Sequence, residues 1–265
     1  MDLNKIIKER RSVRSFDDQR EVSERDIEIL RQTILEVKSP FDGHVTIALE
    51  KFDLDGPYKP STYGTISGAS WFLLMGFSQS VESQLSAGFE MEQVVLKATD
   101  LGLGTCWIAA TFKGSDFDKK VDFPENTPLR IISPVGYAAD SRSFRESATR
   151  LLLRSGSRKP FESMFFSDDF TPGVDEESVF HQPLTLMRLA PSAKNSQPWR
   201  ALVKGKEVYF YIEKKSEASI IDLGIGLSHF ALSLSSDGGG GQWTFSGDFP
   251  ARKGWTPVVK FILRD

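Results

Sequence analysis

Two short segments carry residue types suited to holding an anionic, planar ligand, and they lie far apart in the chain. Residues 10–14 read Arg-Arg-Ser-Val-Arg. Arg10, Arg11 and Arg14, with the Ser12 hydroxyl, supply charge-assisted donors for a phosphate and an attached sugar-alcohol chain. Residues 190–199 read Ala-Pro-Ser-Ala-Lys-Asn-Ser-Gln-Pro-Trp. This stretch is turn-prone, and Ser192, Asn195 and Gln197 can donate and accept along the edge of a planar heterocycle. A basic trio alone is more often a solvated face. A helix stop before a strand accounts for Pro191, Pro198 and Trp199, but not for the Ser, Asn and Gln at fixed offsets.

A third segment, Leu101-Gly-Leu-Gly-Thr-Cys-Trp-Ile-Ala-Ala110, superficially resembles a dinucleotide fingerprint. It lacks the third glycine and follows a helical pattern where that fingerprint must follow a strand. Pro134-Val-Gly-Tyr137 is trailed by Arg142 and Arg145, either a return of positive charge to a phosphate or a solvated basic helix. Other chemistries find little footing. His44, His181 and His229 are scattered, no Cys/His pair has metal-ligand spacing, and neither a Gly-x-Ser-x-Gly elbow nor a phosphate-binding Gly-Lys-Ser/Thr loop occurs. Cys106 reads as a buried small side chain.

The elements that must position these segments follow from periodicity. Leu3, Ile6 and Ile7 make a short amphipathic turn ahead of the arginines. Ser23 with Asp26 starts a helix whose stripe is Ile27, Leu30, Ile34 and Val37. Val45 to Leu49 alternates as a strand, and Trp71 to Phe77 reads as a buried one. Val81 to Leu101 suits a long helix closed by Gly102. Leu129 to Val135 is a strand interrupted by Pro134, and Arg142 to Arg154 a basic helix. The run from Ser155 to Pro160 is the best junction between halves. Beyond it, Asp175 to Leu189 is helical with a break at Pro183. Gly205-Lys206 joins Trp199–Lys204 to Glu207–Lys214 as a hairpin. Glu217 to Ser236 is a second long helix, in which Gly224 and Gly226 mark close packing. The run 237–241 is flexible, and Pro257 to Leu263 is a closing strand.

The four segments together resemble the FMN-dependent nitroreductase family. In that family the arginine motif and the Pro-Ser-x-x-Asn-x-Gln motif sit close in sequence, and each flavin takes one motif from either subunit of a dimer. Here they fall in opposite halves of one chain, as in a fused single-chain branch. The resemblance therefore implies an α+β, internally duplicated fold: two halves, 1–154 and 155–265, with antiparallel or mixed sheets flanked by helices. Ser157-Arg158-Lys159-Pro160 would be the degraded counterpart of the arginine motif, and Ser39-Pro-Phe-Asp-Gly-His44 that of the 190–199 motif. One composite site would survive and its mate be lost.

The resemblance implies FMN held by Arg10, Arg11, Ser12, Arg14, Arg142 and Arg145 at the phosphate end. Pro191, Ser192, Ala193, Asn195 and Gln197 would run along the ring, with the backbone of Ala109 and Ala110 near flavin N5. Gln197 could instead anchor its own loop. NAD(P)H would be the electron donor and a nitroaromatic, quinone or similar small molecule the acceptor, with no catalytic side chain required. Two alternatives stay open: a flavin-binding or sensing protein with little turnover, and a cofactor-free scaffold.

Bulk properties fit that picture. The 33 basic and 36 acidic residues leave a net charge of −3, so no global field draws the chain to nucleic acid or an anionic membrane. One cysteine excludes an intrachain disulfide and suits a reducing, cytoplasmic setting. The N-terminus lacks a signal-peptide apolar core. The expected assembly is a monomeric pseudo-dimer, with a higher oligomer possible.

Overall fold

A computed structural model describes residues 2–54, 59–140 and 156–264. The expected helix over 142–154, with Arg142 and Arg145, lies outside the described residues. The chain runs α1 (Leu3–Glu9), α2 (Glu24–Glu36), β1 (Val45–Lys51), β2 (Trp71–Phe77), α3 (Val81–Asp100), β3 (Gly104–Thr105), α4 (Gly114–Phe117) and β4 (Leu129–Gly136). It continues through β5 (Phe165–Ser167), β6 (Thr171–Pro172), α5 (His181–Met187), β7 (Trp199–Lys204), β8 (Glu207–Ile212), α6 (Glu217–Ser236), β9 (Gly241–Thr244) and β10 (Thr256–Leu263).

The strands form two sheets, so the architecture is α+β. The first sheet has the order β1-β2-β4-β3 and is antiparallel throughout. The second has the order β6-β5-β7-β8-β10-β9, with one parallel pair, β5–β7. Helix α3 packs on the first sheet, α6 on the second, and the two helices pack on each other. One continuous core contains residues of both sheets and both helices. By length and composition α6 could cross a membrane, but most of it is buried in this core. The all-round apolar character of such a helix is what a central packing position demands.

The two long helices match in detail. Each has 20 residues, with a serine N-cap, Ser80 or Ser216, accepting from the backbone of a serine three positions on. Each carries a glycine in its eighth position, and these meet. A Cβ on Gly88 would lie 2.2 Å from the Ile221 carbonyl, and one on Gly224 2.3 Å from that of Leu85. Only backbone-to-backbone contact allows so close a crossing. Gly102 and Gly238 end the helices with φ of 76° and 78°, and Trp107 and Trp243 follow. All these pairs stand the same number of positions apart.

Three expectations need correction. Pro134 does not interrupt β4, which runs on to Gly136. It sits where the two-residue β3 ladder has stopped and the Cys106 amide turns to Ser133 Oγ instead. Pro183 does not kink a long helix. Helix α5 begins only at His181, so the proline falls in the first turn, where a missing N–H breaks no bond. The glycines after α6 are not a loose run: the Gly239 amide caps the helix on Leu234, and Gly241 opens β9 against the Phe261 ring.

Candidate functional site

The arginine segment leaves α1 as extended chain and docks beside β3. Ser12 pairs with Thr105 in a parallel bridge, and the Val13 amide donates to the Thr105 carbonyl at 2.8 Å. In extended chain alternate side chains face opposite ways. Arg10, Ser12 and Arg14 thus share one face, and all three line a cavity of about 990 Å³. Val13 points the other way into the core, and Arg11 is exposed and does not line the cavity. Arg14 Nη1 and the neighbouring Ser15 Oγ are buried with no hydrogen-bond partner. An unmet donor on a buried guanidinium calls for an anion.

Residues 191–195 form a second wall. Pro191, Ser192, Ala193 and Asn195 line the cavity, as do Ala109 and Ala110 after β3. The loop is wound tightly. Lys194, Asn195 and Gln197 all have left-handed φ, 53°, 54° and 47°, a conformation that costs non-glycine residues energy and persists only when surroundings enforce it. Here the enforcing contacts are visible. Ser192 Oγ accepts from the Gln197 amide at 2.9 Å. The Ala193 amide donates to both carboxylate oxygens of Asp222, at 2.9 and 3.0 Å. Gln197 is 3% exposed and does not line the cavity. Its Oε1 accepts from the Lys159 amide at 2.8 Å, so its work is to anchor the loop.

The segment expected to be a degraded arginine motif enters the same cavity. Arg158 lines it, donating to Asn195 Oδ1 at 3.3 Å and to the Leu189 carbonyl at 2.9 Å. Burial, then the charges of Arg10 and Arg188, pulls its pKa down to about 10. Mutual repulsion among guanidiniums is a second sign of a place made for an anion.

Helix α6 supplies the third wall. Ala218, Ile221, Asp222 and Ile225 recur at helical spacing and form one stripe along the cavity. Asp222 is the one acid among the described lining residues. Burial pushes its carboxyl up to about 7, against the lowering pull of the Ala193 amide and the Ser196 side chain.

Beneath the cavity lies a polar hub that the sequence did not announce. Glu92 of α3 is fully buried. Its Oε1 meets His229 Nε2 of α6 at 2.9 Å, its Oε2 accepts from Trp107 Nε1 at 2.9 Å, and Arg10 Nε stands 3.9 Å away. His229 Nδ1 faces the Leu186 carbonyl at 3.1 Å. A carbonyl only accepts, so Nδ1 is the donor in that contact. One carboxylate thus ties Arg10 to Trp107, and α3 to α6.

Among the described residues no cluster of His, Cys, Asp and Glu could hold a metal. The donor set fits a group such as FMN: arginine side chains beside a polar loop, with an apolar helix wall in the same cavity.

Comparison with known proteins follows the same lines. The profile of a family described as "Putative TM nitroreductase" matches residues 2–234. No curated protein matches the chain. A putative nitroreductase from Thermotoga maritima MSB8 is similar over 99% of this chain and 94% of its own, with 22% identity and a TM-score of 0.64. That likeness shows a common fold. A nitroreductase with bound FMN from Desulfitobacterium hafniense DCB-2 is 19% identical, with 53% of this chain and 90% of that one covered and a TM-score of 0.43. A nitroreductase family protein from Clostridium difficile 630 is 17% identical, over 67% and 99%, with a TM-score of 0.45.

Proposed function

Since this chain belongs to the TM nitroreductase family, we propose that it is an FMN-dependent NAD(P)H oxidoreductase acting on a small nitroaromatic, quinone or similar acceptor. The observation that carries this reading is the convergence, in one cavity, of Arg10, Ser12 and Arg14 with the loop from Pro191 to Asn195. The side chains at 10, 12, 14 and 158 would hold the phosphate. The strained 192–197 loop and the Ile221–Ile225 wall would fix the ring, leaving the backbone of Ala109 and Ala110 beside its reactive edge. Bound there, FMN would supply hydride transfer in two stages, from NAD(P)H and then to the acceptor. The chain's part is position, charge and exclusion of water.

The chain further reads as an internal duplication with one surviving site. The matched long helices support it, and so does what replaces the cavity on α3. Ser86 and Phe89 stand where α6 has Asp222 and Ile225. Ser39 Oγ bonds Ser86 Oγ, much as the Ala193 amide bonds Asp222. Phe41, two positions past Ser39, would then stand in the place of Asn195, two past Ala193. It is buried against Phe89, Trp243 and Phe245, with ring centroids 5.5, 5.3 and 6.1 Å away. Aromatic rings would thus fill the place of a second site.

The test is the visible spectrum of the purified protein, with released flavin identified and counted. One FMN per chain is expected. Two would overturn the single-site reading, and none after reconstitution would overturn the flavoenzyme. Arg14→Ala should weaken FMN binding roughly 10- to 100-fold, the worth of a hydrogen bond to a charged group, and Asn195→Ala roughly 2- to 10-fold, that of a neutral one. Arg11→Ala, in the same extended segment but facing solvent, should leave it unchanged.

A further inference from the structure

The mouth of the cavity carries an aromatic side chain that the binding site just described does not use. Tyr63 is 67% exposed yet lines the cavity. Its backbone is left-handed, with φ of 50°, an outlier for a bulky residue that is maintained only when neighbours enforce it. They do. The Ser61 amide donates to Asp116 Oδ2 at 3.1 Å, and the Ser61 carbonyl accepts from Lys113. Thr62 is buried, and its Oγ1 accepts from the Ile66 amide at 3.2 Å. Ser67 exchanges backbone hydrogen bonds with Arg14 and Phe16, at 3.0 and 2.9 Å. The loop is therefore riveted on both sides of Tyr63, and its rigidity presents the ring outward. Most of the large aromatic side chains of this protein pack against one another, but Tyr63 enters no ring contact among the described residues. Leu35 and Val179 are comparably exposed, and neither lines the cavity.

We propose that Tyr63 is the stacking surface for a planar aromatic electron acceptor, which it holds against the open side of the cavity, with Ile66 as an apolar neighbour. This rests on the oxidoreductase reading above and adds to it the residue that selects the acceptor. A fixed ring offers a flat apolar face at little entropic cost, and offset stacking rewards planar partners over compact ones. Selection would thus act on shape, and a compact inorganic oxidant would gain nothing from Tyr63.

The test compares wild type, Tyr63→Ala and Tyr63→Phe, all loaded with FMN, at saturating NADPH. With menadione as acceptor, Tyr63→Ala should raise KM roughly three- to tenfold at nearly constant kcat, and Tyr63→Phe should behave as wild type. With ferricyanide, all three should agree. Equilibrium dialysis of menadione against the oxidised proteins, without NADPH, should show the same loss of affinity in Tyr63→Ala alone. Equal menadione affinity in wild type and Tyr63→Ala would overturn the proposal. Absence of turnover with both acceptors would overturn the oxidoreductase reading instead, and dialysis would still decide the role of Tyr63.

Discussion

Replacing Asp222 with asparagine should change how the protein's stability depends on pH, and the structure sets both the sign and the size. Asp222 is 4% exposed, and burial raises its carboxyl pKa to about 7. In the unfolded chain the same group titrates near 3.9. The native state therefore binds the proton more tightly than the unfolded state does. The stability from this group is fully present below about pH 4 and is lost as pH rises to about 7, where the native carboxyl also ionises. A gap of about three pH units corresponds to roughly 4 kcal/mol across that window. An asparagine in its place does not titrate. In flavin-free protein, urea unfolding at pH 4.5 to 8.5 should show Asp222→Asn gaining on wild type by about 1.4 kcal/mol per pH unit up to about pH 7, then levelling off. Any constant difference from altered hydrogen bonding to Ala193 cancels, because only the slope matters. A difference that stays flat between pH 4.5 and 7, or that falls, would refute the assignment of Asp222 as a desolvated acid. The loop it clamps would then need another explanation for its left-handed backbone.

Two further outcomes follow from buried contacts. Glu92→Leu should destabilise the fold by about 3–5 kcal/mol, because it strands His229 Nε2 and Trp107 Nε1 in the core. A chemical denaturation curve tests this, and a loss under about 1 kcal/mol would mean the hub is not a structural tie. Gly224→Leu should be as harmful or prevent folding, since its Cβ alone would sit 2.3 Å from the Leu85 carbonyl. Soluble expression with an unchanged unfolding midpoint would disprove the close crossing of α3 and α6.

Much of this fold is legible from local sequence because local signals and tertiary demand agree. The Ser23–Asp26 cap opens α2, Trp71–Phe77 is β2 residue for residue, and Glu217–Ser236 is α6. Prolines and glycines were legible as punctuation but not as to which side of an element they fall on. Pro183 sits inside the first turn of α5 rather than breaking a long helix, and Gly241 starts a strand. The arginine motif was legible as chemistry, but its alternation was not. Until the segment is known to be extended, nothing separates Arg11 from Arg10 and Arg14. The Glu92–His229 pair and the approach of Arg158 to Asn195 left no trace, because they join residues with no periodic relation in sequence. Tyr63 was silent for a similar reason, since neither a helical nor a strand pattern covers its loop.

On the proposed duplication, the difference between the two long helices accounts for a single candidate site. At matched positions α3 has Ser86 and Phe89 where α6 has Asp222 and Ile225. On the α3 side, Phe41 and its aromatic neighbours fill the space, and removing a buried phenylalanine of this kind typically costs about 3–5 kcal/mol. On the α6 side, about 990 Å³ is left open, and a strained loop and an elevated acid line it. An open cavity with crowded arginines contributes nothing to the stability of the flavin-free chain. In a symmetric dimer every residue that shapes one such cavity is repeated in the other, so neither can be filled without losing both. A single chain escapes that constraint. If the proposed duplication holds, Phe41 and Phe89 can supply packed core while Asp222 and the left-handed loop keep the one shared cavity ready for an anionic ligand.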